Sequence, residues 1–156
     1  MAILFPFEVH TPYRLFFSAP VEALVLSLLD GEVGIYANHS PFTAPVLPCL
    51  LKIKDKDGVW KTAFTAEGIL EVKNRKAILI SDAAEWPEEI DIKRAEAARD
   101  RAEETIKTGM LKAETETAAL ALKRANMRLK AWGESGGHPG INPGINPGDN
   151  PRKAPD

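Results

Sequence analysis

Cysteine and histidine are scarce in this 156-residue chain, which has one cysteine and three histidines. A single cysteine excludes an internal disulfide, and with no Cys/His cluster beside it a zinc site is not expected. Ser/His/Asp chemistry is poorly supported, because His10 lies in a predicted strand and His138 in a glycine- and proline-rich segment. The sequence also lacks a GxxxxGK[ST] phosphate loop. We therefore expect a binding or structural protein rather than an enzyme, with no required cofactor and no metal.

Long apolar runs and a strong net charge are missing as well. No apolar run approaches the ~20 residues that a membrane-spanning helix needs. The first residues have neither the basic start and apolar core of a signal peptide nor the Arg/Ser-rich pattern of a transit peptide. The net charge of −2 gives no bulk attraction to nucleic acid or to an anionic membrane. We expect a cytoplasmic protein that binds no nucleic acid and reaches a membrane only through partners.

Residues 3 to about 84 have the composition of a β-rich region. Short runs of β-branched and aromatic residues alternate with turn signals such as Asp30-Gly31, Asp57-Gly58 and several prolines. In the run that begins at Val21, apolar residues fall on both alternating sets of positions, which predicts burial on both faces. Such spacing suggests a small β-sandwich or flattened barrel. The predicted strands are Ile3–Thr11, Tyr13–Phe17, Val21–Leu29, Gly34–Tyr36, Leu50–Lys54, Val59–Ala66, Gly68–Val72 and Lys76–Ser81.

Residues 88 to about 131 are instead rich in Ala, Glu, Lys and Arg, which favours helix. The pattern predicts helices at Glu88–Lys107 and Lys112–Ala131, separated by Thr108-Gly109. Small residues recur every three or four positions, so two antiparallel helices can pack closely. An alanine seam buries little apolar area, and we expect this hairpin to open at modest free-energy cost.

The fold class is therefore α+β, with three segments of different composition. Residues 1–86 are predicted to form the β-sandwich and residues 87–132 the antiparallel α-helical hairpin. Gly and Pro supply eleven of the 24 residues from 133 to 156, including two INPG repeats. That composition predicts a disordered tail.

Several motifs, in order along the chain, resemble those of the epsilon subunits of F-type ATP synthases. Residues 29–43 are similar to the family's G-x-x-G-I-x-x-x-H-x-P loop, and residues 68–72 to its G-x-x-E-V segment. Residues 90–95 resemble the I/L-D-x-x-R-A start of its helical hairpin. The resemblance runs from about Phe5 to Trp132. The chain departs from the family pattern at Asn38, at Pro48-Cys49 and at Glu67, which stands where the family has a small residue.

The resemblance implies a non-catalytic rotor subunit in the central stalk. Its sandwich is expected to bind the gamma subunit and the membrane-embedded c-ring, and so to couple ion translocation to ATP synthesis. We expect a peripheral location on the cytoplasmic face of the plasma membrane. Glu32 and His39 fall on loop positions that face the ring in that family, and Asp30 lies beside them. The alternatives are a solvated turn and, for His39, a ring that hydrogen-bonds the neighbouring loop backbone.

The family's hairpin extends toward the alpha/beta catalytic head and restrains ATP hydrolysis through basic residues. The matching cations here are Lys123, Arg124, Arg128 and Lys130. The alternative is that these cations only complement the dipole at the end of the second helix.

Some epsilon subunits bind ATP as a regulatory ligand, which would favour the closed hairpin. Arginine forks suit phosphate oxygens, and the alternative is a solvated ion-pair network. The residues that match positions used there are Glu85, Asp91, Arg94, Arg101, Arg124 and Arg128.

Two other interpretations stay open at this point. One is a free-standing adaptor whose sandwich and hairpin bind an unrelated helical partner. The other is a small nucleotide-sensing protein that acts without a stable partner.

Overall fold

The computed structural model describes residues 2–135, which form a β-sandwich followed by two helices. This confirms the predicted fold class. The strands are β1 (Phe5–His10), β2 (Leu15–Leu28), β3 (Gly31–Tyr36), β4 (Phe42–Val46), β5 (Cys49–Asp55), β6 (Trp60–Thr65), β7 (Gly68–Lys73), β8 (Lys76–Ser81) and β9 (Ala84–Glu85). A 3₁₀ turn at Pro87–Glu89 leads to helix α1 (Ile92–Thr108) and then to helix α2 (Lys112–Glu134).

The strands form a flattened barrel with one extended layer. In the order β1-β8-β7-β4-β2, each strand pairs with the next, and β2 pairs back with β1 to close the ring. On its other side β2 begins the order β5-β6-β9, with β3 also paired to β2. The core between the layers is filled by large, fully buried side chains, namely Phe7, Phe16, Leu24, Leu26, Ile35, Leu51, Ile53, Leu70 and Leu79.

Strand β2 is a single strand of 14 residues, although the sequence predicted two shorter ones. Its first half pairs with β1 and its second half with β3 and β5, so it belongs to both layers. Pro20 does not interrupt it, because that residue is exposed and lies opposite Pro6 in β1. Burial of Leu24 and Leu26, with Val25 half-buried, agrees with the predicted cover on both faces.

Two further strands differ from the prediction. Strand β3 begins at Gly31, three residues earlier than the predicted strand Gly34–Tyr36. Strand β4 was not predicted at all, since Pro45 lies within it. It pairs with β7 along its whole length but with β2 only at Val46, so it resembles an edge strand, where proline is tolerated.

Helix α1 begins at Ile92, four residues later than predicted, because Asp91 caps it. The Asp91 Oδ1 accepts a hydrogen bond from the Arg94 N–H at 3.1 Å. Helix α2 continues to Glu134 and is capped by Ser135, so the tail predicted from residue 133 begins two residues too early. The rest of that predicted tail lies outside the described residues.

Gly109 follows the last residue of α1. Its φ is −62°, so it does not adopt the left-handed conformation that often explains a glycine at the end of a helix. A Cβ at this position would lie 2.6 Å from the carbonyl oxygen of Thr105. Glycine is therefore required by the close approach of the last helical turn.

The helical hairpin packs on one outer face of the sandwich. The two helices meet along a seam of buried alanines, Ala95, Ala102, Ala118 and Ala125. A second apolar cluster joins the helical region to β5 and β6 and contains Leu50, Phe64, Ala66, Ile90 and Ala131. Within residues 2–135, no helix is long and apolar enough to span a bilayer.

Candidate functional site: the contact between the hairpin and the sandwich

Arg128 on α2 lies against the outer face of β6. Its guanidinium carbon is 4.4 Å from the centre of the Phe64 ring, a cation–π geometry. Its Nε donates to the Glu85 Oε2 at 2.8 Å. The aromatic face and the carboxylate both belong to the sandwich, so Arg128 joins α2 to it.

Arg124, one turn earlier on the same helix face, makes the second charged contact. Its Nε donates to the Glu67 Oε2 at 2.8 Å, and its Nη2 bonds the other oxygen, Oε1. Burial, followed by the positive charge of Arg128, lowers the pKa of Arg124. A guanidinium stays protonated at physiological pH all the same, so Glu67 pairs with a fixed charge.

A cavity of about 390 Å³ opens between α1, α2 and the end of the sandwich. All six residues predicted for nucleotide binding line it: Glu85, Asp91, Arg94, Arg101, Arg124 and Arg128. The structure thus brings together residues that span 44 positions of the sequence. Glu89 and three small side chains, Ala95, Ala98 and Ala121, complete the lining.

The six residues have different partners. Glu85 and Arg128 pair with each other, and Asp91 caps α1. Arg94 and Arg101 are exposed, and neither forms an ion pair with any residue from 2 to 135. Two guanidinium groups at this cavity are therefore available to an anion without breaking an existing ion pair.

The remaining predicted inhibitory cations, Lys123 and Lys130, lie beside the sandwich. They line a smaller cavity with Glu32, Lys52 and Met127. Neither lysine forms an ion pair in the described part of the chain. The four predicted cations thus all lie near or on the sandwich, and two of them are held there by carboxylates.

The three residues predicted to face the ring are exposed but do not lie together. Asp30 and Glu32 sit at the β2–β3 turn, whereas His39 follows the other end of β3. Six strand residues separate the two ends by roughly 17 Å. The His39 Nδ1 lies 2.8 Å from the Ser40 carbonyl oxygen, which matches the backbone-bonded alternative.

Comparisons with known proteins agree with this architecture. Residues 4–87 match the family model for the ATP synthase delta/epsilon chain beta-sandwich domain, and residues 88–133 match that for its long alpha-helix domain. The chain is 50% identical over 126 residues to the ATP synthase epsilon chain of Caldicellulosiruptor bescii, covering 81% of this chain and 91% of that one. Over 127 residues it is 48% identical to the epsilon chain of Caldanaerobacter subterraneus subsp. tengcongensis, with the same coverage. The chain belongs to the family of ATP synthase epsilon chains.

Solved structures share the fold of this epsilon chain at low identity. One is a chain of the Euglena gracilis mitochondrial ATP synthase, in a structure with OSCP, F1 and c-ring. It has a TM-score of 0.68 and 20% identity, over 80% of this chain and 78% of that one. The other comes from the central stalk and c-ring of the Tetrahymena thermophila mitochondrial enzyme, with a TM-score of 0.55 and 14% identity. It covers 81% of this chain and 95% of that one.

The outer face of the epsilon-chain sandwich away from α2 carries an apolar row. Pro45, Ile69 and Ile80 are direct cross-strand neighbours on β4, β7 and β8, and all three are exposed. Ile69 and Ile80 are 54% and 59% exposed, although the neighbouring Leu70 and Leu79 are fully buried. No described element covers this face, which is the kind of surface that a partner protein buries.

Sequence reasoning missed three residues at or beside the hairpin contact. Glu67 was noted only as a departure from the family pattern, and Glu89 was given no role. Phe64 carried no signal beyond its place in a predicted strand. Their contacts with Arg124, Arg14 and Arg128 join positions 57, 75 and 64 residues apart, so they depend on how α2 and the 3₁₀ turn dock.

Proposed function

We propose that this chain is the non-catalytic epsilon subunit of a rotary ATP synthase, where it binds the gamma subunit and the c-ring. In this role it couples ion translocation to ATP synthesis. It acts from the cytoplasmic face of the plasma membrane, held there by the complex. The observation that carries the proposal is the two-sided sandwich: α2 covers one outer face, and the other presents an uncovered apolar row.

Gamma binding is assigned to that apolar row. Replacing Ile80 by Glu places a charge where an apolar partner surface is expected, so co-purification with the cognate gamma subunit should be lost. Val59→Glu is the matched control, because Val59 is also an exposed apolar residue but lies in the β5–β6 turn. Loss of gamma binding in both variants, or in neither, would argue against this assignment.

Ring contact is assigned to the β2–β3 turn. Leu29 is 67% exposed there and adjoins Asp30, with Glu32 two residues further. One apolar side chain and two carboxylates suit a polar loop of another subunit. His39 follows the other end of β3, and its contact with the ring stays a prediction. Asp30→Lys should weaken binding to the ring, and His39→Ala tests whether the contact extends to the other end of β3.

Restraint of ATP hydrolysis is assigned to an extended form of the hairpin. The helices have 17 and 23 residues, which at 1.5 Å per residue amounts to roughly 60 Å end to end. In the closed form Arg124 and Arg128 pair with Glu67 and Glu85. These cations must leave the sandwich before they can bind an acidic surface of the catalytic head. The closed hairpin is therefore the form that permits hydrolysis.

Nucleotide binding is a second function, favoured by the convergence of four arginines on one cavity. Arg94 and Arg101 supply the forks that no described carboxylate occupies, and a bound phosphate group would bridge α1 to α2. Equilibrium dialysis with ATP at millimolar concentration tests this. Arg94→Ala should abolish binding, while Arg99→Ala should not, because Arg99 pairs with Asp100 and does not line the cavity.

A further inference from the structure

Arg124 differs from the other arginines at the cavity because one carboxylate engages it through two hydrogen bonds. Both Glu67 oxygens face its Nε and Nη2. A guanidinium group binds two oxygens of a carboxylate with the same planar, bidentate geometry that it uses to bind two oxygens of a phosphate group. Glu67 thus occupies the donors of Arg124 that are best placed for bidentate binding of a phosphate.

The contact also spans the two parts of the molecule. Glu67 precedes β7 in the sandwich, and Arg124 lies 57 residues later on α2. The pair can form only when α2 rests on the sandwich. The other charged contact across this boundary, between Arg128 and Glu85, has a single hydrogen bond. Glu67 is therefore the stronger of the two charged anchors.

The surroundings of Arg124 increase its need for an anion. Its side chain is only 33% exposed, and Arg128 lies on the same helix face one turn away. Desolvation and the like charge both disfavour an isolated guanidinium at this place. In a closed hairpin without ligand, Glu67 is the group that offsets both effects.

We propose that Glu67 is a built-in anion that holds Arg124 and keeps the hairpin closed in the absence of nucleotide, and that a phosphate group must compete with it. The second half of this inference rests on the nucleotide binding proposed above. The first half does not. We call the Glu67–Arg124 ion pair the latch. Replacing the Glu67 carboxylate with a neutral amide weakens this pair, and it also leaves the Arg124 guanidinium available to a phosphate group.

Hydrogen exchange of the α2 amides in the full-length chain separates the two effects. Exchange without ATP reports how often the hairpin opens. The factor by which saturating ATP slows exchange reports the affinity of the closed form alone, because that factor equals one plus the ratio of ATP concentration to Kd. The variants are Glu67→Gln, Arg124→Gln and the double variant. Glu71→Gln is the control, since Glu71 lies in β7 and, among residues 2–135, pairs only with Lys73.

Glu67→Gln should speed α2 exchange without ATP by about 3- to 10-fold, the range for a partly exposed charged pair. ATP should then slow exchange by a larger factor than in the wild type. The double variant should exchange no faster than Arg124→Gln alone, and Glu71→Gln should match the wild type.

Three results would overturn parts of the inference. Unchanged exchange of Glu67→Gln without ATP would show that Glu67 is no latch. A smaller effect of ATP in that variant would show that Glu67 positions Arg124 for the phosphate rather than competing with it. If ATP slows exchange in no variant, the nucleotide proposal fails together with the competition, while exchange without ATP still decides whether the latch exists.

Discussion

Phe64→Ala should release the hairpin from the sandwich without unfolding the sandwich. Phe64 is fully buried, but it lies on the outer face of β6, where α2 and the Arg128 guanidinium cover it. When the hairpin opens, this ring becomes exposed. The substitution therefore raises the free energy of the closed form relative to the open form and changes the open form little.

The magnitude follows from the area that the ring buries. Phenylalanine buries roughly 100 Å² more apolar surface than alanine, which at ~25 cal/mol per Å² amounts to about 2.5 kcal/mol. Loss of the cation–π contact with Arg128 adds about 0.5 kcal/mol. A total of about 3 kcal/mol corresponds to a roughly 100-fold increase in the opening equilibrium.

Hydrogen exchange resolved by segment measures this increase. The α2 amides should exchange roughly 100-fold faster in Phe64→Ala, and those of β1, β7 and β8 should keep their wild-type rates. Trp60→Ala is the matched control, because Trp60 is an aromatic residue of the same strand that is 47% exposed. The reasoning is refuted if the α2 amides keep their wild-type rates, or if the amides of the sandwich accelerate by the same factor.

Three further predictions concern the sandwich. Gly68→Ala should prevent folding or cost at least about 3 kcal/mol in thermal unfolding, because a Cβ there would lie 2.0 Å from the Ile80 carbonyl oxygen. Gly34→Ala, whose Cβ would meet only ordinary contacts, should leave the melting temperature within a few degrees. Arg75→Gly should stabilise the β7–β8 turn by about 0.5–1 kcal/mol in denaturant unfolding, since Arg75 has a φ of +60°, and no gain would contradict this. Cys49 should react with iodoacetamide far more slowly at pH 8 than in denaturant, because burial raises the pKa of its thiol; equal rates would contradict this.

The sequence predicts the strands and helices of this fold where local chemistry determines them. The change from β-branched to Ala/Glu/Lys-rich segments locates the switch from sandwich to hairpin, and the alanine seam is buried as its spacing predicts. Strand β4 was not predicted because Pro45 lies within it. The strand accommodates this proline because it pairs with β2 at a single residue and so resembles an edge strand. The start of α1 is a different case, since Asp91 is a recognisable helix cap that the composition of the preceding residues obscured.

The candidate site divides in the same way. Arg94, Arg101, Arg124 and Arg128 were named from the family resemblance, and they do line one cavity. Glu67 could not be assigned, because its partner is distant in sequence and the contact depends on where α2 docks. The separation of His39 from the β2–β3 turn depends on the length of β3, whose last three residues were predicted as strand and whose first three were not.

The most direct test of the account is ATP hydrolysis by an F-type catalytic head that lacks its own epsilon subunit, with the cognate gamma subunit present. Titration with the full-length chain should inhibit hydrolysis. Lys123→Ala/Lys130→Ala should bind equally well and inhibit less, because it removes two cations of α2 and leaves both carboxylate pairs intact. Lys93→Ala/Lys107→Ala, which removes two exposed cations of α1, should inhibit like the wild type. Binding of the full-length chain without any inhibition would contradict the regulatory role of the hairpin, and failure to bind the head with its gamma subunit would contradict the rotor role itself.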